Sequence, residues 1–218
     1  MSSRPLASGA DRVRLQRLAL RLEYATIAWN IGEAVFTISL GVAAGSLALI
    51  GFGTDSIIEV FASSVVVWHI RPGHATDSAP RTRRALRLVA VAFFGLALVL
   101  SVASIRDLVL GRRAGESIAG IVYLAITAVV MFSLAVAKHR IARSLDSAPL
   151  RSEASLTFLD GILSTLTLIG LALNAAFGWA WADPAAALIV ALAAFNEGRE
   201  NLVEAAEIER ESRAGPAG

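Results

Sequence analysis

SLALIGFGTDSIIEVFASSVVVWHI, residues 46–70, is apolar for long enough to cross a bilayer, yet it carries Asp55 and Glu59 near its middle. A spanning helix needs about 20 mostly apolar residues, because about 30 Å of hydrocarbon is covered at 1.5 Å per residue. A charged side chain near the bilayer centre costs at least about 2.5–3.5 kcal/mol, so such a group turns to the interior of a bundle and serves a function. Asp55 and Glu59 are four residues apart and stack on one helical face. Two carboxylates so placed repel each other unless a cation or a proton lies between them. A site for a hard or borderline divalent ion needs that arrangement. Ser56, Ser63 and Ser64 add small polar positions, and Gly51 and Gly53 let a neighbouring helix come close.

Outward from this stretch, five more apolar segments follow the same logic. The spans read as 18–40, 46–70, 86–110, 117–137, 153–175 and 184–203. Their length and their Ala and Leu content exclude strand pairing for most of them. The sequence therefore predicts an all-α membrane protein: one six-helix transmembrane domain over 18–203, an N-terminal tail at 1–17 and a frayed, polar tail at 204–218. The chain has 218 residues, of which 56% are hydrophobic and only 17% charged, and a soluble domain of this length carries more charge. Gly41 with Gly45, Pro72 with Gly73, and Gly111 to Gly115 mark the breaks. Asn174 to Pro184 reads as a turn at headgroup level, with Trp179 and Trp181 suited to an interfacial belt and Pro184 to a first helical turn. The absence of cysteine excludes disulfides and thiolate metal sites. The basic residues flank apolar helices and line no soluble face, so nucleic acid is excluded as a partner. Glu23, Asn30 and Glu33 interrupt the first apolar stretch, which argues against a cleavable signal peptide.

Orientation follows from the basic residues. With the N-terminus in the cytoplasm, seventeen of the twenty Lys and Arg fall inside, Lys138 among them, and only Arg106, Arg112 and Arg113 fall outside. An even number of spans then places both termini in the cytoplasm of a multi-pass protein of the cell membrane.

The remaining polar groups within spans are few. In SEASLTFLDGILSTLTLIG, Thr157, Asp160 and Ser164 share one face. In LEYATIAWNIGEAVFTI, Asn30 and Glu33 form a polar stripe. Asn30 reads equally as glue between helices or as a ligand, and Glu33 equally as part of the stripe or as an outer interfacial charge. Glu23 and Glu153 read as interfacial charges or salt-bridge partners. His69, His74 and His139 lie at or beyond the cytoplasmic ends, where histidines are solvated, and their spacing is not that of metal ligands. The acids on the first, second and fifth helices are expected to surround a polar cavity that the other three scaffold.

SLALIGFGTDSIIEV resembles the second helix of the cation diffusion facilitator (cation efflux) family, with its S-x-A-L and D-S-x-x-[DE] pattern. The fifth span followed by GWAWADPAAALIVA resembles that family's fifth helix, outer G-W…ADP turn and sixth helix. The resemblance implies metal ligands at Asp55, Glu59 and Asp160. The family usually carries His or Asp four residues before the last of these, where this chain has Leu156. That leaves oxygen donors, with Asn30 or Thr157 as candidates to complete them, and shifts the expected range from strict zinc towards harder ions such as manganese, iron or cobalt. The family's C-terminal cytoplasmic domain is not expected, so this reads as a short, divergent branch in which any homodimer forms through the helices. The implied activity is export of a divalent cation by proton antiport, without a resident cofactor and without enzymatic chemistry. Two other classes stand beside it. Leu156 is compatible with a non-transporting membrane scaffold or regulator of the same fold. An intramembrane hydrolase needs two apposed acids, and an Asp–x3–Glu on one helix suits it poorly.

Overall fold

The computed structural model describes residues 9–44, 47–71, 78–111, 118–179 and 181–214. The turns expected at Gly45, at Pro72–Gly73 and through most of Gly111 to Gly115, together with His74, Arg112, Arg113 and the last four residues, lie outside them. Six helices make up the described residues, with no strand among these: α1 (Gly9–Ala44), α2 (Leu47–Ile70), α3 (Ala79–Leu110), α4 (Ile118–Leu145), α5 (Ala148–Phe177) and α6 (Ala182–Ala214).

Local chemistry sets the helix ends. Pro80, Pro149 and Pro184 each stand in a first turn, where a missing N–H costs nothing and a fixed φ suits the helix. Gly111 closes α3 at φ 60°, and its N–H donates to the Asp107 carbonyl. Asp146 holds φ 52° between α4 and α5, a conformation that Asp tolerates better than most residues. Only Asp146 and Ser147 separate these two helices, so the segment 138–152 expected to connect them is almost wholly helical. Likewise α1 passes through Gly41 to Ala44, and the expected tail beyond 203 continues as helix to Ala214. Apolar periodicity stops where the hydrocarbon would stop, whereas backbone hydrogen bonding does not.

The helices pack chiefly as three pairs: α3 with α6, α1 with α2, and α4 with α5. Close approach needs small residues. A Cβ on Gly53 would stand 2.5 Å from Ile38 Cγ1 and 2.7 Å from Thr37 Oγ1, which brings α2 hard against α1. A Cβ on Gly198 would stand 2.9 Å from Phe94 Cε1, so α6 meets α3 in the same way.

The bundle is apolar outside and partly polar inside. Val109, Val129, Leu98, Ile189 and Leu192 are well exposed, whereas Asn30, Asp55, Glu59, Ser63, Thr157 and Asp160 are buried. A soluble fold reverses this pattern. Among the described residues, two helical segments, Ala79–Leu110 and Val122–Leu145, are long and apolar enough to cross a membrane by length and composition alone. Trp179 and Trp181 stack with centroids 5.6 Å apart and both are exposed.

The start of α1 and the end of α6 lie at one end of the bundle, hereafter the terminal end. There Glu209 of α6 meets Arg83 at 3.5 Å and Arg87 at 2.8 Å, both from the start of α3, and Arg213 at 2.7 Å. Arg83 above all, then Arg213 and Arg87, hold the Glu209 carboxyl below its usual range, against a partial desolvation that works the other way. Arg81 and Arg84 lie over the Trp68 ring at 4.5 and 5.8 Å, which ties α3 to α2.

Two outcomes follow. Gly53→Ala is expected to lower stability by about 1–3 kcal/mol, the usual cost of overpacking, read as a lower unfolding midpoint in detergent. Because the Glu209 pKa is depressed by folding, its contribution is present above the ordinary carboxylate range and fades as pH falls through the lowered value. Amide exchange over 199–214, corrected for intrinsic rate, is therefore expected to accelerate between about pH 5 and pH 3, and Glu209→Gln to show the faster exchange already at neutral pH.

Candidate metal centre

Asp55 and Glu59 occupy one face of α2, as their spacing predicts. They are 5% and 2% exposed, while Ile57 between them is 52% exposed. On α1, Asn30 and Glu33 face the same interior and are buried. On α5, Thr157, Asp160 and Ser164 are buried together. The Asp160 carboxylate feels the like charges of Glu59, Asp55 and Glu33, so three helices do bring their acids into one electrostatic neighbourhood. Glu33 thus joins the interior group and does not reach outward as an interfacial charge. Its place in the Asn30 stripe was the signal for this in the sequence.

Hydrogen bonds fix some of these groups and leave others open. Asn30 Nδ2 donates to Glu59 Oε2 at 2.8 Å and to the Thr26 carbonyl at 3.1 Å. The amide nitrogen therefore holds Glu59 in position and couples α1 to α2. The Tyr123 hydroxyl of α4 donates to Glu33 Oε1 at 2.6 Å. Asp55 Oδ1, Glu59 Oε1 and Asp160 Oδ2 are buried without a hydrogen-bond partner. Buried carboxylate oxygens are costly to leave so, and a cation or protons would satisfy them. The four acids do not close into a finished cage: among the described residues no three His, Asp or Glu side chains converge as a metal would require. The donor set is all oxygen, which suits a hard or borderline divalent ion. Leu156 is 1% exposed and belongs to the apolar core.

One turn nearer the terminal end lies a second polar cluster. Lys138 of α4 is fully buried, with Nζ 2.7 Å from Glu153 Oε1 and 3.4 Å from Glu23 Oε2. Ser63 Oγ and Thr157 Oγ1 also donate to Glu153 Oε1, at 2.8 and 3.2 Å. Glu23 and Glu153 are thus salt-bridge partners, one of the two readings their positions allowed. Lys138 is not one of the solvated basic residues that flank a span, because Glu23 and Glu153 draw it inward. Thr157 is committed to this cluster, and Ser64 turns outward to the Val60 carbonyl. His69 is buried rather than solvated and lines a cavity of about 240 Å³. Arg12, Thr82, Ser147 and Arg151 also line that cavity, and none of the interior acids does. Tyr123 and Lys138 gave no sign in the sequence, since an aromatic and a lysine near helix ends are ordinary in any membrane protein.

Tyr123→Phe is expected to cost about 1–3 kcal/mol, the range for removing a donor from a buried carboxylate. Glu33→Gln is expected to cost less, since the amide oxygen still accepts from Tyr123. Thermal unfolding of both variants in detergent checks this.

The cation efflux transmembrane domain family matches residues 84–208 of the chain, from the first turns of α3 to the far part of α6. The D-S-x-x-E stretch of α2 precedes the matched region, so the motif and the match are separate observations. No curated protein matches the chain.

Proposed function

The chain belongs to the cation efflux family, a family of membrane-embedded metal cation transporters, and from that premise we propose that it carries a divalent metal ion out of the cytoplasm in exchange for protons. The observation that carries this reading is the set of buried, unpartnered oxygens on Asp55, Glu59 and Asp160, from helices that face one another. In this proposal Asp55 and Glu59 supply ligands from α2 and Asp160 supplies one from α5. Asn30 orients Glu59 and offers its carbonyl oxygen. Water or a small inward shift of α5 completes the shell that the present conformation leaves open.

Exchange follows from charge. The same carboxylates hold either one doubly charged ion or protons, because an empty cluster of ionised acids in a low dielectric is strongly unfavourable. Metal binding therefore expels protons, and protonation expels the metal. Rocking of helix pairs about the site would expose it to one side at a time. All six helices have 24 residues or more, so each is at least about 36 Å long and exceeds the hydrocarbon thickness. That supports six spans, and the seventeen basic residues on the side of the termini support a multi-pass cell-membrane protein with both termini in the cytoplasm. Oxygen donors without the nitrogen that Leu156 replaces favour manganese, iron or cobalt at least as much as zinc. A homodimer, if formed, uses the outer apolar faces of the helices.

Proteoliposomes with an imposed pH gradient test this directly. Uptake of zinc, manganese, cobalt or iron(II) driven by the gradient is the expected result. Asp55→Asn and Asp160→Asn are each expected to reduce it by about a hundredfold or more, at or beyond the upper end of what losing a group that merely supports a ligand costs, with an unchanged chromatographic profile. Equal flux in both variants would remove the assigned site.

A further inference from the structure

Lys138 occupies an unusual position for a basic side chain. It is 0% exposed, and it contacts groups from α1 and α5 while α2 contributes Ser63 to the same carboxylate. The cluster lies on the terminal side of the acids on every helix involved. Ser63 is one turn beyond Glu59, Glu153 two turns before Asp160, and Glu23 two turns before Asn30. An ion passing between the terminal end and the acids must cross this level.

The cluster also joins elements whose main packing partners differ. The main pairings are α1 with α2 and α4 with α5. Lys138 and Glu153 lie within the second pair, and their separation is the shorter, 2.7 Å. Glu23 belongs to the first pair, and its separation from the ammonium is the longer, 3.4 Å. Neither Glu23 oxygen has a hydrogen-bond partner, and Glu153 Oε2 lacks one as well. Ser63 of α2 also crosses the pairs, at 2.8 Å to Glu153, so among the charged contacts the tie within a pair is the strong one and the tie to Glu23 the weak one. One ammonium faces two carboxylates, so it can release Glu23 and keep Glu153 without being stranded. At the opposite end the Tyr123–Glu33 hydrogen bond spans the same two pairs. The acids lie between two links, one on each side.

We propose that the Glu23–Lys138–Glu153 cluster is the gate on the terminal side of the cation path, and that separation of Lys138 from Glu23 opens the acidic interior to that side. This rests on the transport reading above. The gate assigns a conformational role to Lys138 that a purely structural ion pair would not have.

The chain has no cysteine, so a single introduced thiol reports accessibility cleanly. Thr26 is fully buried, one turn from Glu23 on the way to Asn30. Full-length Thr26→Cys protein in vesicles would be treated with a membrane-impermeant thiol reagent from the side of the termini. Labelling is expected to be slow with Lys138 present. It should accelerate by about tenfold or more with Lys138→Met, because the pair with Glu153 is lost from both states and the tie to Glu23 from the closed state alone. Lys138→Arg should restore slow labelling. Glu23→Gln, which removes the charged link across the pairs and leaves Lys138 with Glu153, should also accelerate it and serves if Lys138→Met fails to fold. Ser104→Cys, buried on α3 away from the path, should not change with any of these substitutions. Unchanged Thr26→Cys labelling in folded Lys138→Met or Glu23→Gln protein overturns the gate. So does equal acceleration at Ser104→Cys, which would mean general loosening. Metal flux is read separately: flux with labelling indifferent to Lys138 retains transport and loses the gate, whereas Lys138-dependent labelling without flux loses the cargo reading.

Discussion

Acidic groups on a helix surrounded by lipid have one tolerable direction to face. Asp55 and Glu59 cannot meet acyl chains at acceptable cost, so α2 must turn that face inward, and α1 and α5 must cover it. Much of the packing follows from this requirement. Gly53 lets α1 come close enough for Asn30 to reach Glu59, and the 2.8 Å bond between them fixes the register of the pair. The opposite faces are then free to be apolar, which is why large aliphatic side chains cover the outside of the bundle. The pair α3–α6 carries no acid into this interior and supplies a wall, tied at its terminal end by Glu209 and its arginines.

The polar interior is not uniform along the bundle axis. Glu33, Asp55, Glu59 and Asp160 form a level with no basic side chain hydrogen-bonded to it among the described residues, and three of the four retain an unpartnered oxygen. The next level towards the termini contains Lys138, and there the carboxylates have a resident cation. A fold that needed only to bury acids would have compensated both levels alike. The missing charge is confined to the level of Asp55, Glu59 and Asp160, which is where a mobile cation could be held and released.

The amount legible in the sequence tracks the physics of each feature. Segment number and helical character could be read because the cost of exposed backbone in lipid forces long apolar runs. The four-residue spacing of Asp55 and Glu59 was readable because local geometry fixes a shared face. Helix ends were not, since Arg-rich turns such as 79–85 and 138–145 stay helical once hydropathy no longer marks them. Pairings between elements were also beyond reach. Tyr123 finding Glu33 and Lys138 finding Glu153 and Glu23 depend on how α4 sits against its neighbours, and no local pattern encodes that. Lys138 shows the difficulty best. By position it is one more basic residue at a span's end, and only the two glutamates facing it turn the side chain inward.

Leu156 bears on which ions such an interior would favour. It lies one turn before Asp160 and is buried in the apolar core beside Leu159 and Leu163, so no nearby rearrangement converts its position into a donor. Beside Asp160, a Cβ on Gly161 would come within 3.0 Å of the Phe132 ring, so α5 is held firmly against α4 at this point. The α5 contribution to the site is thereby restricted to one carboxylate on a well-fixed segment. With nitrogen and sulfur both absent from the interior level, selectivity has to come from oxygen count, charge and hydration rather than from ligand softness. Such a site distinguishes weakly among borderline ions of similar size. The proposed activity therefore has a broad cargo as its natural consequence, with exclusion of monovalent ions set by the concentration of negative charge.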